Sequence, residues 1–363
     1  MTYLVARVAR TRWILNNVPR IVPQENRGTS CLCLPMSCCN CFSCCHRAGK
    51  DNRVRGRLEG GENGRGHLDG RKIDGDLRIN DLGRAIEDDY AAIRQNYATP
   101  KNPIVLAHGL LGFDELRLAG NLLPGVQYWR GITEAMRANG IEVILTTVPA
   151  SASIEERAAK LSQDIATKAN GKSVNIIAHS MGGLDARYMI SRLKPDNINV
   201  LSLTTIATPH RGSYFADYTM NEIGPKYLGH LYKFVEGMGF STGAFYQLTQ
   251  KYMQEEFNPN TPDKEGVRYF SYGATADPGF MSAFRRPHKI VEQMEGPNDG
   301  LVSVESAKWG TYKGTLVGVS HLDLINWTNR LRSWFWQVGG YQKKFNAVAF
   351  YLDIADMLAK EDL

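Results

Sequence analysis

Residues 178–183, Ala-His-Ser-Met-Gly-Gly, follow an apolar run and open a helix-like stretch, so the chain must turn sharply with Ser180 at the apex. Small residues two before and two after the serine let strand and helix backbones approach closely. This is the G-x-S-x-G nucleophile elbow, with alanine in the first glycine's place. A serine hydroxyl is a poor nucleophile at neutral pH and needs a general base. The order that accompanies an elbow is serine, then Asp or Glu, then histidine. Of eight histidines, His321 alone lies late enough, in Val319-Ser320-His321-Leu322-Asp323 after the last strand candidate. His179 directly precedes the nucleophile and its side chain points away from that of Ser180. His210 and His288 come too early for the base, and His46 and His67 lie in the N-terminal tail. Asn298-Asp299-Gly300 is a turn signal, and Asp299 is the first candidate for orienting the imidazole and stabilising its charged form. Asp277, after the strand candidate VRYFSYGA, is the second, with Glu295 and Glu305 weaker. An oxyanion needs preorganised N–H donors. Met181, beside the nucleophile at a helix start, offers one. Leu110 in His108-Gly109-Leu110-Leu111-Gly112 offers the other, with His108 shaping that loop by hydrogen bonding.

These residues need a scaffold that brings them to one edge. PIVLAHG, IEVILTTV, SVNIIAH, INVLSLTTIA, VRYFSYGA and GTLVGV read as strands, with helical patterns between most of them. Ser153 with Glu156 three residues on is a capping box that starts a helix over 154–170. Leu82, Ile86, Tyr90, Ile93 and Tyr97 have helical spacing. Continuous apolar strands alternating with helices imply a mostly parallel, doubly wound α/β sheet, whose sites lie at the carboxyl ends of the strands. His108-Gly109, Ser180 and Thr208-Pro209-His210 fall there. Residues 213–262 break the alternation with eleven aromatic residues and no clear strand. They read as an insertion over the sheet's upper edge. From Leu324 on the pattern is mostly helical.

The 363 residues are 43% hydrophobic and 22% charged. Those proportions exclude a wholly disordered or collagen-like chain, and no apolar run approaches the roughly 18 residues of a membrane span. Residues 1–80 carry 14 Lys/Arg against 7 Asp/Glu, whereas the other 283 carry 29 against 30. The body therefore has no excess positive charge for phosphates, which argues against nucleic acid as a partner. The first 24 residues have four arginines and no acid. That composition suits a mitochondrial presequence or a basic arm on an anionic membrane surface. The arginines interrupt any secretory apolar core, so secretion is not expected. All seven cysteines lie between Cys31 and Cys45. They read as an undirected thiol segment or as S-acylation sites, and their crowding suits zinc poorly. Residues 47–80 read as a solvated linker. The expected organisation is a basic, Cys-rich extension over 1–80 and a catalytic domain over 81–363.

AHGLLGF, AHSMGGLDARY, TPHRGS, PNDGLVSVESAKWG and VSHLDLIN occur in order between residues 103 and 330. Together they resemble α/β-hydrolase triacylglycerol lipases, both the bacterial Pseudomonas and Burkholderia type and, more closely, the fungal mitochondrial type. The resemblance implies carboxylester hydrolysis of acylglycerols at an oil–water or membrane interface. It implies Ser180, Asp299 and His321 as the triad, with Leu110 and Met181 as oxyanion donors. It also implies that the 213–262 insertion is a lid, a static aromatic wall being the rival reading. No cofactor is needed for the chemistry. The bacterial relatives bind a structural calcium ion through two aspartates and two carbonyls. Asp323 matches one of these aspartates and Asp277 approximately the other, and such oxygen donors suit Ca2+. A mitochondrial, membrane or lipid-droplet location follows. Acyl transfer or phospholipid hydrolysis with the same triad, and a catalytically silent lipid-binding module, are the alternatives.

Overall fold

Alternating side chains of each strand feed two different apolar layers. In a computed structural model, which describes residues 82–110, 128–150, 152–221, 242–277, 284–327 and 345–363, Ile104 and Leu106 pack into one layer, and Val105 and Ala107 into the other. The same split separates Ile177 from Ile176 and Ala178. A strand apolar on both faces must be covered on both faces, which is the signature of a parallel sheet. The strands are β1 (Ala85–Ile86), β2 (Ile104–Ala107), β3 (Val143–Leu145), β4 (Val174–His179), β5 (Val200–Ile206), β6 (Arg268–Thr275) and β7 (Thr311–Val317). They form one seven-stranded sheet in the order β1-β7-β6-β5-β4-β2-β3. Every pairing is parallel, as the sequence pattern implied.

Helices α1 (Ile132–Ala138) and α2 (Ile154–Lys168) follow β2 and β3, and α3 (Gly182–Tyr188) follows β4. The α2 helix carries the expected capping box: Ser153 accepts from the Glu156 N–H, and the Glu156 carboxylate accepts from the Ser153 N–H. Its inner face, Ala158, Leu161 and Ile165, joins the β4 side chains. The C-terminal helix (Ala347–Lys360) covers the opposite face, with Phe350, Leu352 and Ile354 in the layer that holds Leu106 and Ile177.

The helical spacing over 81–97 does not become a helix. Ala85 and Ile86 instead form a short edge strand on Thr315 and Leu316, and the remainder is turns and irregular chain. Ile86 and Tyr90 are buried but Ile93 is half exposed, so the segment drapes two apolar side chains over the sheet. The free edge of β7 supplies backbone partners that outweigh a local helical tendency. The 213–262 insertion is helical where it is described. It comprises α4 (Tyr214–Asn221), α5 (Thr242–Tyr246) and a helical stretch from Gln250 to Asn260, and it has no strand among the described residues. Helices α6 (Arg285–Glu295) and α7 (Val304–Ala307) flank the Asn-Asp-Gly turn, and neither was apparent from the pattern. The expected basic arm, cysteine cluster and linker, and residues 222–241 of the insertion, lie outside the described residues.

Candidate active site

Because all seven strands run the same way, their carboxyl ends share one edge. The elbow leaves β4 there. Ser180 has φ 55°, a left-handed backbone that costs a non-glycine residue about 1–2 kcal/mol and that neighbouring bonds must hold. Its N–H donates to Ile206 O at 2.9 Å, and its carbonyl accepts from Thr208 Oγ1 at 2.8 Å and from Gly183 N–H at 3.1 Å. The small residues are needed sterically. A Cβ on Gly182 would lie 2.7 Å from the Ala107 and His108 carbonyls, and one on Gly183 would run into the Thr208 side chain. A Cβ on Gly109 would sit 2.7 Å from Ser180 Cβ. The loop that leaves β2 therefore passes directly over the serine.

That loop is pinned from below. Arg157 and Asp185 are fully buried and paired, Nη2 to Oδ2 at 2.7 Å. Burial pushes the Asp185 carboxyl up to about 6, while the Arg157 guanidinium pulls it back. The same guanidinium donates to His108 O at 3.0 Å and Pro149 O at 2.8 Å. His108 shapes the loop as expected: its Nδ1 donates to Gly109 O, and its Nε2 accepts from the Val148 N–H. Leu110 packs against the apolar cluster of Met181, Leu184, Ile154, Tyr252, Met253 and Phe257. The two expected oxyanion residues thus lie on one cluster, and the described part of the insertion forms its wall.

The expected acid and base lie together. His321 Nδ1 lies 2.6 Å from Asp299 Oδ2, and both residues are buried. Asp299 Oδ1 accepts from the N–H groups of Leu301 and Val302, so the Asn-Asp-Gly turn fixes the carboxylate by its own backbone. Ala276 N–H to Asn298 O ties this turn to the end of β6, and Val319 N–H to Thr275 O ties the histidine loop to the same point. His321 N–H also donates to Asp299 O. The His321 ring stands 4.6 Å, centroid to centroid, from that of His179, the residue before the serine. Asp277 is exposed at the end of β6 and is not the carboxylate paired with His321. Glu295 instead accepts from Tyr214 N–H and Gln250 Nε2, and Glu305 pairs with Lys308.

The two aspartates named for calcium lie in different settings. One oxygen of Asp323 is engaged by Ser320, through Oγ at 2.6 Å and N–H at 3.2 Å, and Asp277 is exposed. Among the described residues no three His, Cys, Asp or Glu side chains form a metal-holding group.

His210, at the end of β5, belongs to a different cluster. Its ring stacks on Trp309, its Nδ1 accepts from Arg187, and its Nε2 faces Thr205 Oγ1. Burial, reinforced by Arg187 and Arg211, holds its pKa well below the ordinary 6.5. The fold therefore keeps His210 neutral where the unfolded chain would protonate it. Stability from this group is present above pH 6.5 and lost as pH falls below it. Between about pH 7.5 and 5.5 the native protein should lose about 1.4 kcal/mol more than His210→Gln does. Denaturant unfolding of the two proteins at both pH values measures the difference, and parallel losses would show that His210 is charged in the fold.

Sequence reasoning missed Arg157 and Tyr128. Arg157 had a signal, since it lies on the same helix face as Ile154, Ala158 and Leu161. A charged residue on an apolar face must be paired.

Comparison with known proteins agrees with this fold. Residues 103–268 match the family described as palmitoyl protein thioesterase. Triacylglycerol lipase 2 of Saccharomyces cerevisiae is 39% identical over 322 residues, spanning 75% of this chain and 96% of that protein. The triacylglycerol lipase of Burkholderia plantarii is 33% identical over 302 residues, spanning 65% and 82%. Among solved structures, Staphylococcus hyicus lipase superposes with a TM-score of 0.55 at 22% identity, over 74% of this chain and 98% of that one. The metagenomic carboxyl esterase MGS0156 superposes at 0.56 with 21% identity, over 75% and 79%. These structures share the α/β-hydrolase fold with the parallel sheet described above. With an elbow serine on such a sheet and a yeast relative matched over nearly its whole length, the chain belongs to the triacylglycerol lipase family and is a serine ester hydrolase.

Proposed function

We propose that this enzyme cleaves acylglycerol esters through an acyl-enzyme on Ser180, with His321 as base and Asp299 as its partner. The observation that carries the reading is the 2.6 Å bond between Asp299 and His321 Nδ1, on the loop edge where the Ser180 elbow turns. With Nδ1 donating to the carboxylate, Nε2 is left as a lone-pair base. Ser180 Oγ bonds to the ester carbonyl carbon while Nε2 takes the hydroxyl proton. The carbonyl oxygen becomes the oxyanion, and the N–H groups of Leu110 and Met181 are its donors. Collapse breaks the ester C–O bond, and His321 returns the proton to the leaving alcohol. Water, deprotonated by the same nitrogen, then releases the fatty acid.

The apolar wall of Tyr252, Met253 and Phe257 over Met181 suits an acyl chain, and we assign the 213–262 insertion as the cover of the acyl site. Contact with a lipid interface follows from an insoluble ester substrate. No described helix is long and apolar enough to cross a membrane. The acid-free basic start of the chain suits either a mitochondrial presequence or an anionic membrane surface.

A panel of triolein, phosphatidylcholine and p-nitrophenyl esters of increasing chain length tests the substrate. Fatty acid release from triolein is expected, and release from phosphatidylcholine alone would replace this reading with a phospholipase. A chelator arm should leave the rate unchanged. The histidine loop is already held by Thr275 O, Asp299 O and the Ser320–Asp323 bonds.

A further inference from the structure

Two buried side chains that the proposed chemistry does not use lie between its two halves. Tyr128 stands just before α1, with its ring against His108 and Trp129. Its hydroxyl accepts from the Gly109 N–H at 3.0 Å and lies 2.6 Å from His179 Nδ1. Having accepted from Gly109, the hydroxyl donates its own proton to Nδ1. His179 is thereby fixed as the tautomer with its proton on Nε2. Its Nε2 proton faces the backbone of His321. The ring itself lies against that of His321, at 4.6 Å and 47°.

We propose that Tyr128 and His179 are a positioning pair for the ester-cleaving reaction. One phenol hydroxyl fixes the root of the oxyanion loop at Gly109 and, through His179, the ring against which the base His321 lies. The inference rests on the triad reading above. The arrangement links two things that must be in place at the same moment: the N–H that receives the oxyanion and the imidazole that takes the proton. His179 suits this position because burial and the neighbouring His321 keep it neutral. A neutral ring does not repel the imidazolium that His321 becomes, whereas a second cation there would oppose the proton transfer. Gly109 must be glycine for the same reason: an added Cβ would meet Ser180 Cβ at 2.7 Å and the Tyr128 hydroxyl at 3.1 Å. The loop, the phenol and the nucleophile are therefore in mutual contact.

Tyr128→Phe keeps the ring and its packing and removes only the hydroxyl. With a soluble p-nitrophenyl ester, kcat should fall about 10- to 100-fold with KM within about twofold, a loss of orientation rather than of binding. An alkylboronic acid, which presents a tetrahedral oxyanion to the site, should lose affinity by a similar factor. A merely structural tyrosine would lower thermal stability and leave the boronate affinity unchanged. His179→Asn separates the two arms, since an amide oxygen can stand where Nδ1 accepts from Tyr128 while the ring against His321 is lost. This variant should keep boronate affinity within about twofold and lose about tenfold in kcat. It also decides the matter should Tyr128→Phe not fold. Wild-type kcat and boronate affinity in Tyr128→Phe, or wild-type kcat in His179→Asn, overturn the proposal. Failure of a fluorophosphonate to label Ser180 in the native enzyme would instead remove the triad reading beneath it.

Discussion

Ser180→Ala is expected to lower ester turnover by about five to six orders of magnitude while leaving the fold intact. The serine oxygen is the one atom of the enzyme that bonds to carbon in the proposed reaction, and no water in its place would be oriented by the elbow. In serine hydrolases the loss of the nucleophile removes nearly the whole benefit of the triad, because its members act as a unit. The residual rate over water, about 10³- to 10⁴-fold, comes from the oxyanion donors and binding. Stability should change little. The bonds that hold the elbow are made by backbone groups, Ser180 N–H to Ile206 O and Ser180 O to Thr208 and Gly183, and alanine keeps them. It also keeps the Cβ that lies against Gly109. Both residues bear the same strain at φ 55°. Stopped-flow release of p-nitrophenol, with thermal unfolding of the same sample, measures both. Turnover within about tenfold of wild type in a folded variant would exclude Ser180 as nucleophile.

The parts of this site that were legible in the sequence are those written locally. Strand and helix meet at the elbow within six residues, and steric need forces small side chains there. The capping box of α2 and the Asn-Asp-Gly turn are short-range devices of the same kind, with donors and acceptors two or three residues apart. The sheet was legible for a related reason: strands buried on both faces cannot alternate polar and apolar residues. What failed depended on distant partners. Ile86 and Tyr90 have helical spacing, but an open strand edge more than two hundred residues away at Thr315 and Leu316 decides their conformation. Tyr128 carries no local sign that its hydroxyl meets Gly109 and His179. Helix α6, Arg285–Glu295, has Pro287 and His288 in its first turn and only Val291 and His288 buried, too little apolar pattern to stand out. Asp299 lies between these cases. Its turn is local and readable and ranks it ahead of Asp277, but its pairing with the imidazole depends on the chain bringing residue 321 beside it.

Asp299→Asn is the most informative single substitution after the nucleophile, because it changes one atom and leaves the shape. In the native enzyme Oδ1 accepts from two backbone N–H groups, Leu301 at 3.0 Å and Val302 at 2.9 Å, while Oδ2 accepts from His321 Nδ1. Asparagine has one acceptor oxygen for these two duties. Two backbone donors in a buried turn outweigh one ring N–H, so the amide oxygen should face Leu301 and Val302. The amide nitrogen then faces Nδ1 and donates to it. That reverses the imidazole: Nδ1 becomes the acceptor and the proton moves to Nε2, the atom that must take the proton of Ser180. A base that already holds its proton cannot act, and a tautomer trap of this kind costs about 10⁴-fold in kcat. Packing is preserved, so the melting temperature should move by only a few degrees and KM should stay close to native. Asp299→Ala distinguishes this account from simple loss of charge. It removes the trapping donor and leaves His321 free to take either tautomer, so it should retain more activity than the asparagine variant at high pH. Assays of kcat from about pH 7 to 10 on both variants decide the point. If alanine is the more damaging of the two across that range, Asp299 acts by charge alone and not by fixing the tautomer.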